Sequence, residues 1–346
     1  MSEAQTIASQ MRNLFLLFLL VLIHCSVIAQ QKPQFTQYIF NNYLTNPAIS
    51  GIENYIDVKT GHRTQWTGLD GAPITNYFSI HAPLGKEFLF DNANSFDGQE
   101  NNPMNRSYTQ YYMAAAPHHG IGLQGVIDKA GPISRLDLNA TYAYHLGISS
   151  KVNISLGVAA GISKVTLNMD KVSLGDDLDP AVVAGENERL IPELSAGIWV
   201  YSARYFIGLS AQQLLGQTFS FTNDKQYKET RAVPHFYFTT GYKVFLGEDF
   251  AMIPSVMIKK VPSTPVTYDT NLKLAFRNNL WVGGSYRHGD ALAALVGFNL
   301  SHLFNLSYSY DFTTSNLGDV SNGTHEIVLG FLLNNRYKLS GSQRNW

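Results

Sequence analysis

Three stretches of the sequence carry residue types and spacings that could do chemistry. Gly120-Ile-Gly-Leu-Gln-Gly125 has the glycine spacing that lets a backbone approach a pyrophosphate. That chemistry needs a strand running into a helix whose N-terminus meets the phosphate. Here the chain reaches Gly131-Pro132 where the helix would run, so these glycines are expected on a strand. His325-Glu326 opens like the helical HExxH of zinc peptidases, but Leu329 occupies the place of the second histidine. His118, His119 and His235 have no Asp, Glu or Cys at ligand spacing, so they are expected to line a lumen or a rim. No GxSxG elbow is present, and a serine could meet His145 or His235 only through the fold. The expectation is a chain with no catalytic residue, no cofactor and no metal.

A second set of charges needs a place rather than a reaction. Arg135, Asp137, Asp269, Lys273, Arg277 and Arg287 fall on one face of segments that alternate polar and apolar residues. Facing lipid at mid-depth, a basic side chain would cost about 2–4 kcal/mol. They are therefore expected to face the inside of a barrel and to pair there, closing the lumen. The competing use is a polar channel or a plug contact.

The elements that must position them read as strands. In residues 135–146, Leu136, Leu138, Ala140, Tyr142, Tyr144 and Leu146 share one face, while Arg135, Asp137, Asn139, Thr141 and His145 share the other. Residues 265–277 and 305–312 repeat the pattern. Further segments at 54–66, 74–84, 119–129, 152–166, 192–203, 204–215, 234–246, 250–261, 279–288, 291–300 and 324–335 bring the count to about fourteen, the even number expected of a bacterial outer-membrane barrel. About ten residues at a steep tilt cross the hydrocarbon. Tight breaks at Leu146-Gly147, Gly247-Glu248-Asp249 and Gly289-Asp290 alternate with long connections at 85–117, 167–191, 216–233 and 313–323. A soluble sandwich or propeller also alternates, but tyrosines and phenylalanines near strand ends suit interfacial girdles, and blade-length repeats are missing.

Composition agrees. Against 25 Lys+Arg stand 26 Asp+Glu, a balance unsuited to nucleic acid, and charged residues make up only 15% of 346 residues. After Arg12, the apolar run Leu14–Ile23 is too short to span a bilayer and reads as a signal peptide covering 1–29. Cys25, the single cysteine, falls inside it, so disulfides and thiolate chemistry are excluded downstream. The expected organisation is signal peptide 1–29, an N-terminal periplasmic or plug-like segment 30–52, the barrel 53–338 and a tail 339–346.

Several blocks together resemble one family. These are Pro33-Gln-Phe35, Asn46-Pro47-Ala48, Arg63-Thr-Gln-Trp66-Thr-Gly68-Leu-Asp70-Gly71-Ala-Pro73, Tyr308-Ser-Tyr310-Asp311 and Gly323-Thr-His325-Glu326-Ile-Val-Leu-Gly330-Phe331, with Arg287 closing another. They are similar to the PorP/SprF outer-membrane proteins of the type IX secretion system of Bacteroidetes. Lys32 departs from the aspartate with which members often begin. The resemblance implies a non-enzymatic barrel in the cell outer membrane that helps export or anchors a surface adhesin, some of them used in gliding. Its implied partners are a cell-surface protein with a type IX C-terminal domain, the periplasmic and lipoprotein components of the motor ring, and the lipid bilayer. A passive pore for small or hydrophobic solutes is the alternative, and a membrane hydrolase a more distant one. Gly68 and Gly71 permit positive φ and Pro73 fixes the exit, so residues 68–73 read as the turn between the first two strands, with Asp70 capping it.

Overall fold

The computed structural model describes residues 32–85, 112–171, 188–219, 230–262, 264–277 and 279–335. The signal segment with Cys25, the tail 339–346 and the centres of three long connections lie outside them.

The strands are β1 (Ile56–Thr64), β2 (Ile74–Leu84), β3 (His118–Ala130), β4 (Ile133–Ser149), β5 (Val152–Leu167), β6 (Glu188–Tyr201), β7 (Tyr205–Gln212), β8 (His235–Tyr242), β9 (Phe250–Lys260), β10 (Thr267–Phe276), β11 (Leu280–Arg287), β12 (Ala291–Asn299), β13 (Phe304–Thr313) and β14 (Thr324–Leu333). A break at Lys243 separates β8 from its continuation Val244–Leu246, which pairs with the same neighbour, β9. Each strand is antiparallel to the next, and β14 returns to β1 in register from Ile56↔Leu333 to Thr64↔His325. The sheet is thus a closed fourteen-stranded barrel, with every strand edge used. A separate two-stranded ribbon, Thr218–Phe219 with Thr230–Arg231, stands in one loop.

Alternation sets the two faces. On β4, Arg135, Asp137, Thr141 and His145 are buried while Leu138, Tyr142, Tyr144 and Leu146 are exposed on the outer wall. Gly120 and Gly122 lie on β3, as the strand reading expects. Arg277 does not face inward. β10 ends at Phe276, and Arg277 takes a left-handed φ of 46° in the following turn, where its Nε donates to Asp249 Oδ1 at 2.7 Å on the surface.

Strand directions define two rims. The chain enters β1 and leaves β14 at one rim, here the terminal rim; the loop 65–73 lies at the other, the loop-side rim. The connection 85–117, grouped with the long loops by length, belongs to the terminal rim, because β2 runs back towards it. For the same reason the tight Gly289-Asp290 turn belongs to the loop-side rim.

The lumen is occupied by the chain's own N-terminal segment. Three 3-10 turns, Thr36–Ile39, Asn42–Leu44 and Pro47–Ile49, descend through it. A long helix is ruled out by the run of Asn and Thr, which compete for backbone hydrogen bonds, and by Pro47. Asn46 starts the last turn by accepting the Ala48 N–H at 3.0 Å, with Pro47 preset in φ behind it. Tyr38, Ile39, Phe40 and Leu44 pack on Tyr77, Ile253, Trp281 and Val328 of the wall. Tyr43, Ala48, Ile49 and Ile52 pack on Trp199, Tyr201 and Phe206.

Close approach of the segment depends on glycine in the wall, Gly157 and Gly197 among the positions concerned. A Cβ on Gly157 would overlap the backbone of Pro47-Ala48, and one on Gly197 would overlap the Asn46 side chain. Gly157→Val should therefore unseat this end of the segment, costing about 1–3 kcal/mol. The expected result is a lower urea midpoint for the gel-mobility shift of the folded barrel, with new protease cleavage between Lys32 and Asn54; an unchanged midpoint and an uncut segment would contradict it.

Candidate functional site: a lumen closed from within

Thr36 is the centre of the upper lumen. Its hydroxyl donates to Asp311 Oδ2 at 2.6 Å and accepts from Arg63 Nη1 at 2.7 Å and Arg287 Nη2 at 3.1 Å. One donor and two acceptor sites are thereby filled. Its N–H donates to Glu326 Oε2 at 2.9 Å, and Gln37 Nε2 donates to the Glu326 carbonyl at 2.9 Å. Arg63 also reaches Glu326 Oε2 and Asp311 Oδ2, both at 2.9 Å. Tyr77 donates to the other Glu326 oxygen at 2.8 Å. Arg287 bridges Asp269, Asp290 and Asp311 at 3.5, 3.0 and 3.6 Å. Four strand ends thus meet on one threonine.

A second cluster stands on the opposite wall. Arg135 donates to Asp137 Oδ1 and Glu193 Oε1, each at 2.7 Å, and Lys32 Nζ adds to Glu193 at 3.1 Å. The Lys32 N–H donates to His235 Nε2 at 3.4 Å. Two charged pairs, Arg135 with Asp137 and Lys32 with Glu193, leave this cluster neutral.

At the base, polar wall residues take the segment's free backbone groups. Gln124 Nε2 donates to the Tyr43 carbonyl at 2.7 Å, Gln212 Nε2 to Leu44 at 2.9 Å, Ser210 to Thr45 at 2.7 Å and Ser155 to Ala48 at 2.7 Å. His145 Nε2 lies 2.8 Å from the Ser50 carbonyl and His118 Nε2 3.1 Å from that of Gly51, while His81 Nδ1 accepts the Gly51 N–H at 3.2 Å. The rings of His118 and His145 stack at 4.5 Å. Burial pushes the phenols of Tyr38 and Tyr43 up, Tyr43 to about 12, so both stay neutral in the segment. Tyr43 shares a hydrogen bond of 2.6 Å with Thr141, and Tyr38 accepts one from Asn271.

Four residues singled out in sequence, Arg63, Arg287, Asp311 and Glu326, converge on Thr36. Asn46 and Pro47 lie elsewhere, against β5–β7, where Asn46 Nδ2 donates to the Ile198 and Leu209 carbonyls at 3.0 and 3.2 Å. Trp66, Gly68, Asp70, Gly71 and Pro73 form the loop between β1 and β2 at the loop-side rim. Gly68 and Gly71 have φ of 95° and 69°, and Thr67 exchanges backbone hydrogen bonds with Gly323 and Asn322 at 2.8 and 2.7 Å. Asp70 is exposed, and no side-chain cap from it is seen among the described residues. His325 points outward and meets the Tyr308 hydroxyl at 2.7 Å. The sequence reading missed Thr36, Lys32 and Glu193, and treated as isolated three histidines, two of which meet the segment; only the fold brings His81, His118 and His145 to residues 50–51.

Chemically, the arrangement holds a peptide segment through side-chain contacts to its backbone. His145 and His235 bond to backbone groups and to Tyr201 rather than to a serine side chain. Among the described residues no group of three or more His, Cys, Asp or Glu is placed to hold a metal. A cavity of about 60 Å³ remains between residues 32–47 and the wall near Lys259 and Tyr237.

The model of the type IX secretion system membrane protein PorP/SprF family matches residues 27–331. The chain belongs to the PorP/SprF family. Its members are type IX secretion membrane proteins, and with a closed barrel the chain is a protein of the outer membrane. No curated protein matches it by sequence. Among solved structures it is similar to Acinetobacter baumannii Omp33 (TM-score 0.46, 8% identity, 82% of this chain and 100% of that one). It is also similar to the Ralstonia pickettii toluene transporter TbuX (TM-score 0.46, 9% identity, 83% and 92%).

Removing one member of the Thr36 cluster leaves buried charge unpaired. Arg63→Ala should cost about 3–5 kcal/mol. Arg277→Ala, in an exposed pair, should leave the urea midpoint of the folded barrel where it is. Equal behaviour of the two variants in that titration would show that the cluster does not hold the segment.

Proposed function

We propose that this PorP/SprF barrel is a non-enzymatic anchor or export partner for one cognate cell-surface protein, an adhesin of the kind used in attachment or gliding. The cargo's type IX C-terminal domain meets the loop-side rim, and periplasmic and lipoprotein components of the motor ring meet the terminal rim. The assignment of sides follows the barrel pattern of short periplasmic turns and longer outward loops. Residues 1–29 are removed as a signal peptide, 30–52 act as the plug, and 53–338 form the barrel with a short tail. The observation that carries the reading is the family match over nearly the whole chain, joined to a lumen filled by residues 32–54.

The 65–73 loop, with Trp66 and Asp70 at the outward rim, is the proposed contact with cargo. Asp70→Arg should then lower surface display of one adhesin severalfold, measured by labelling intact cells, with folding and other secreted proteins unchanged. Deleting the whole chain should abolish display of that adhesin, whereas normal display of all type IX cargo in the deletion strain would remove the hypothesis.

A filled lumen also separates this reading from a passive pore. The purified barrel is expected to be silent in planar bilayers, and a variant lacking residues 32–52 to conduct if it folds. Stable conductance by the intact protein would favour the pore.

A further inference from the structure

The outer wall carries a groove of about 640 Å³ crossing β4–β8, within the about 300–1,000 Å³ typical of small-molecule sites. Leu156, Val158, Ile198 and Leu209 flank it, and Ala196 and Ala211, paired directly across β6 and β7, keep it deep. Tyr142 and Tyr144 also line it. On the next strand His119 Nδ1 meets the Tyr142 hydroxyl at 2.7 Å, and its ring lies 4.9 Å from that of Tyr144. His119 is the second residue of β3, which starts at the terminal rim, so this polar cluster lies on the terminal-rim side of the groove.

We propose that the groove is a binding site for one phospholipid, an acyl chain lying over Ala196 and Ala211 and the phosphate received by His119 and its tyrosines. The occupant follows from the medium: Leu156, Val158, Ala196, Ile198, Leu209 and Ala211 are outward positions of membrane-crossing strands, so hydrocarbon is what reaches them. Lipid tails are as apolar as leucine, so solvent exclusion supplies no preference for the groove over bulk bilayer. Selectivity must come from shape and from the headgroup. The shape has a cause on the inner side, because Gly157 and Gly197 line the groove and also touch Asn46–Ala48 of the plug. The wall is a single backbone thick there, with peptide on one face and lipid on the other. The headgroup contact follows from tautomer logic: when Tyr142 donates to Nδ1, the Nε2–H of His119 remains as a donor to an anionic oxygen.

The test is native mass spectrometry of the full-length protein in mild detergent with dipalmitoyl phosphatidylethanolamine or the matching diacylglycerol added. The wild type is expected to retain one phosphatidylethanolamine and to prefer it over diacylglycerol at least tenfold. Ala196→Trp with Ala211→Trp should fill the groove and lose the adduct. Both positions face lipid, and the heat-dependent gel shift confirms that the variant folds. His119→Phe should keep an acyl adduct but lose the headgroup preference. Equal retention by wild type and groove-filled protein, no retention by the wild type, or a co-purifying polypeptide on this face in place of lipid would each overturn the proposal.

Discussion

Charge at membrane depth must face inward, and once inside it must be paired. That constraint organises the barrel. Arg63, Arg287, Asp311 and Glu326 are carried by strands on both sides of the β1–β14 seam, and all four turn into the lumen near the loop-side rim. Gathered in a narrow lumen, they need hydrogen bonds beyond their mutual attraction, because buried ion pairs repay desolvation only when their remaining donors and acceptors are used. Thr36 and Gln37 supply part of those bonds. The wall's glutamines and serines do the reverse at the base, satisfying carbonyls of a segment too irregular to satisfy its own.

The barrel was legible because period-two alternation is a local property. Leu136 to Leu146 announces its faces without reference to any other strand, and the inward position of Arg135, Asp137 and Arg287 follows from the same parity. Arg277 shows where parity stops: one residue beyond the strand, a left-handed turn resets the direction of the side chain. Which rim a connection joins is a cumulative property of strand direction, and length alone groups 85–117 with connections of the opposite rim. The segment's path was not legible. Nothing local in Phe35-Thr-Gln-Tyr says that Thr36 will meet residues almost three hundred positions away. Two of the histidines read as isolated meet the segment for the same reason, His118 at Gly51 and His235 at Lys32.

Family membership gives the lumen its meaning. In a secretion system, a barrel whose interior is occupied by its own chain has its rims and outer wall left for contact. The inside is specified by buried polar complementarity, while at the loop-side rim the backbone of the 65–73 loop is tied to Asn322 and Gly323.

The downward course of the segment has a consequence for biogenesis. Lys32 sits beside His235 and Glu193 near the loop-side mouth, whereas β1 begins at the terminal rim, so the chain runs the height of the barrel before its first strand is laid down. The strands that close the cylinder last in sequence, β13 and β14, carry the carboxylates that Thr36 and Arg63 require. Threading a peptide of this length into a sealed cylinder would strip its polar groups of water before their partners were in place. Assembly is simpler if the segment lies in the open sheet and the final hairpin zips over it, so that sealing the wall and filling the interior are one event.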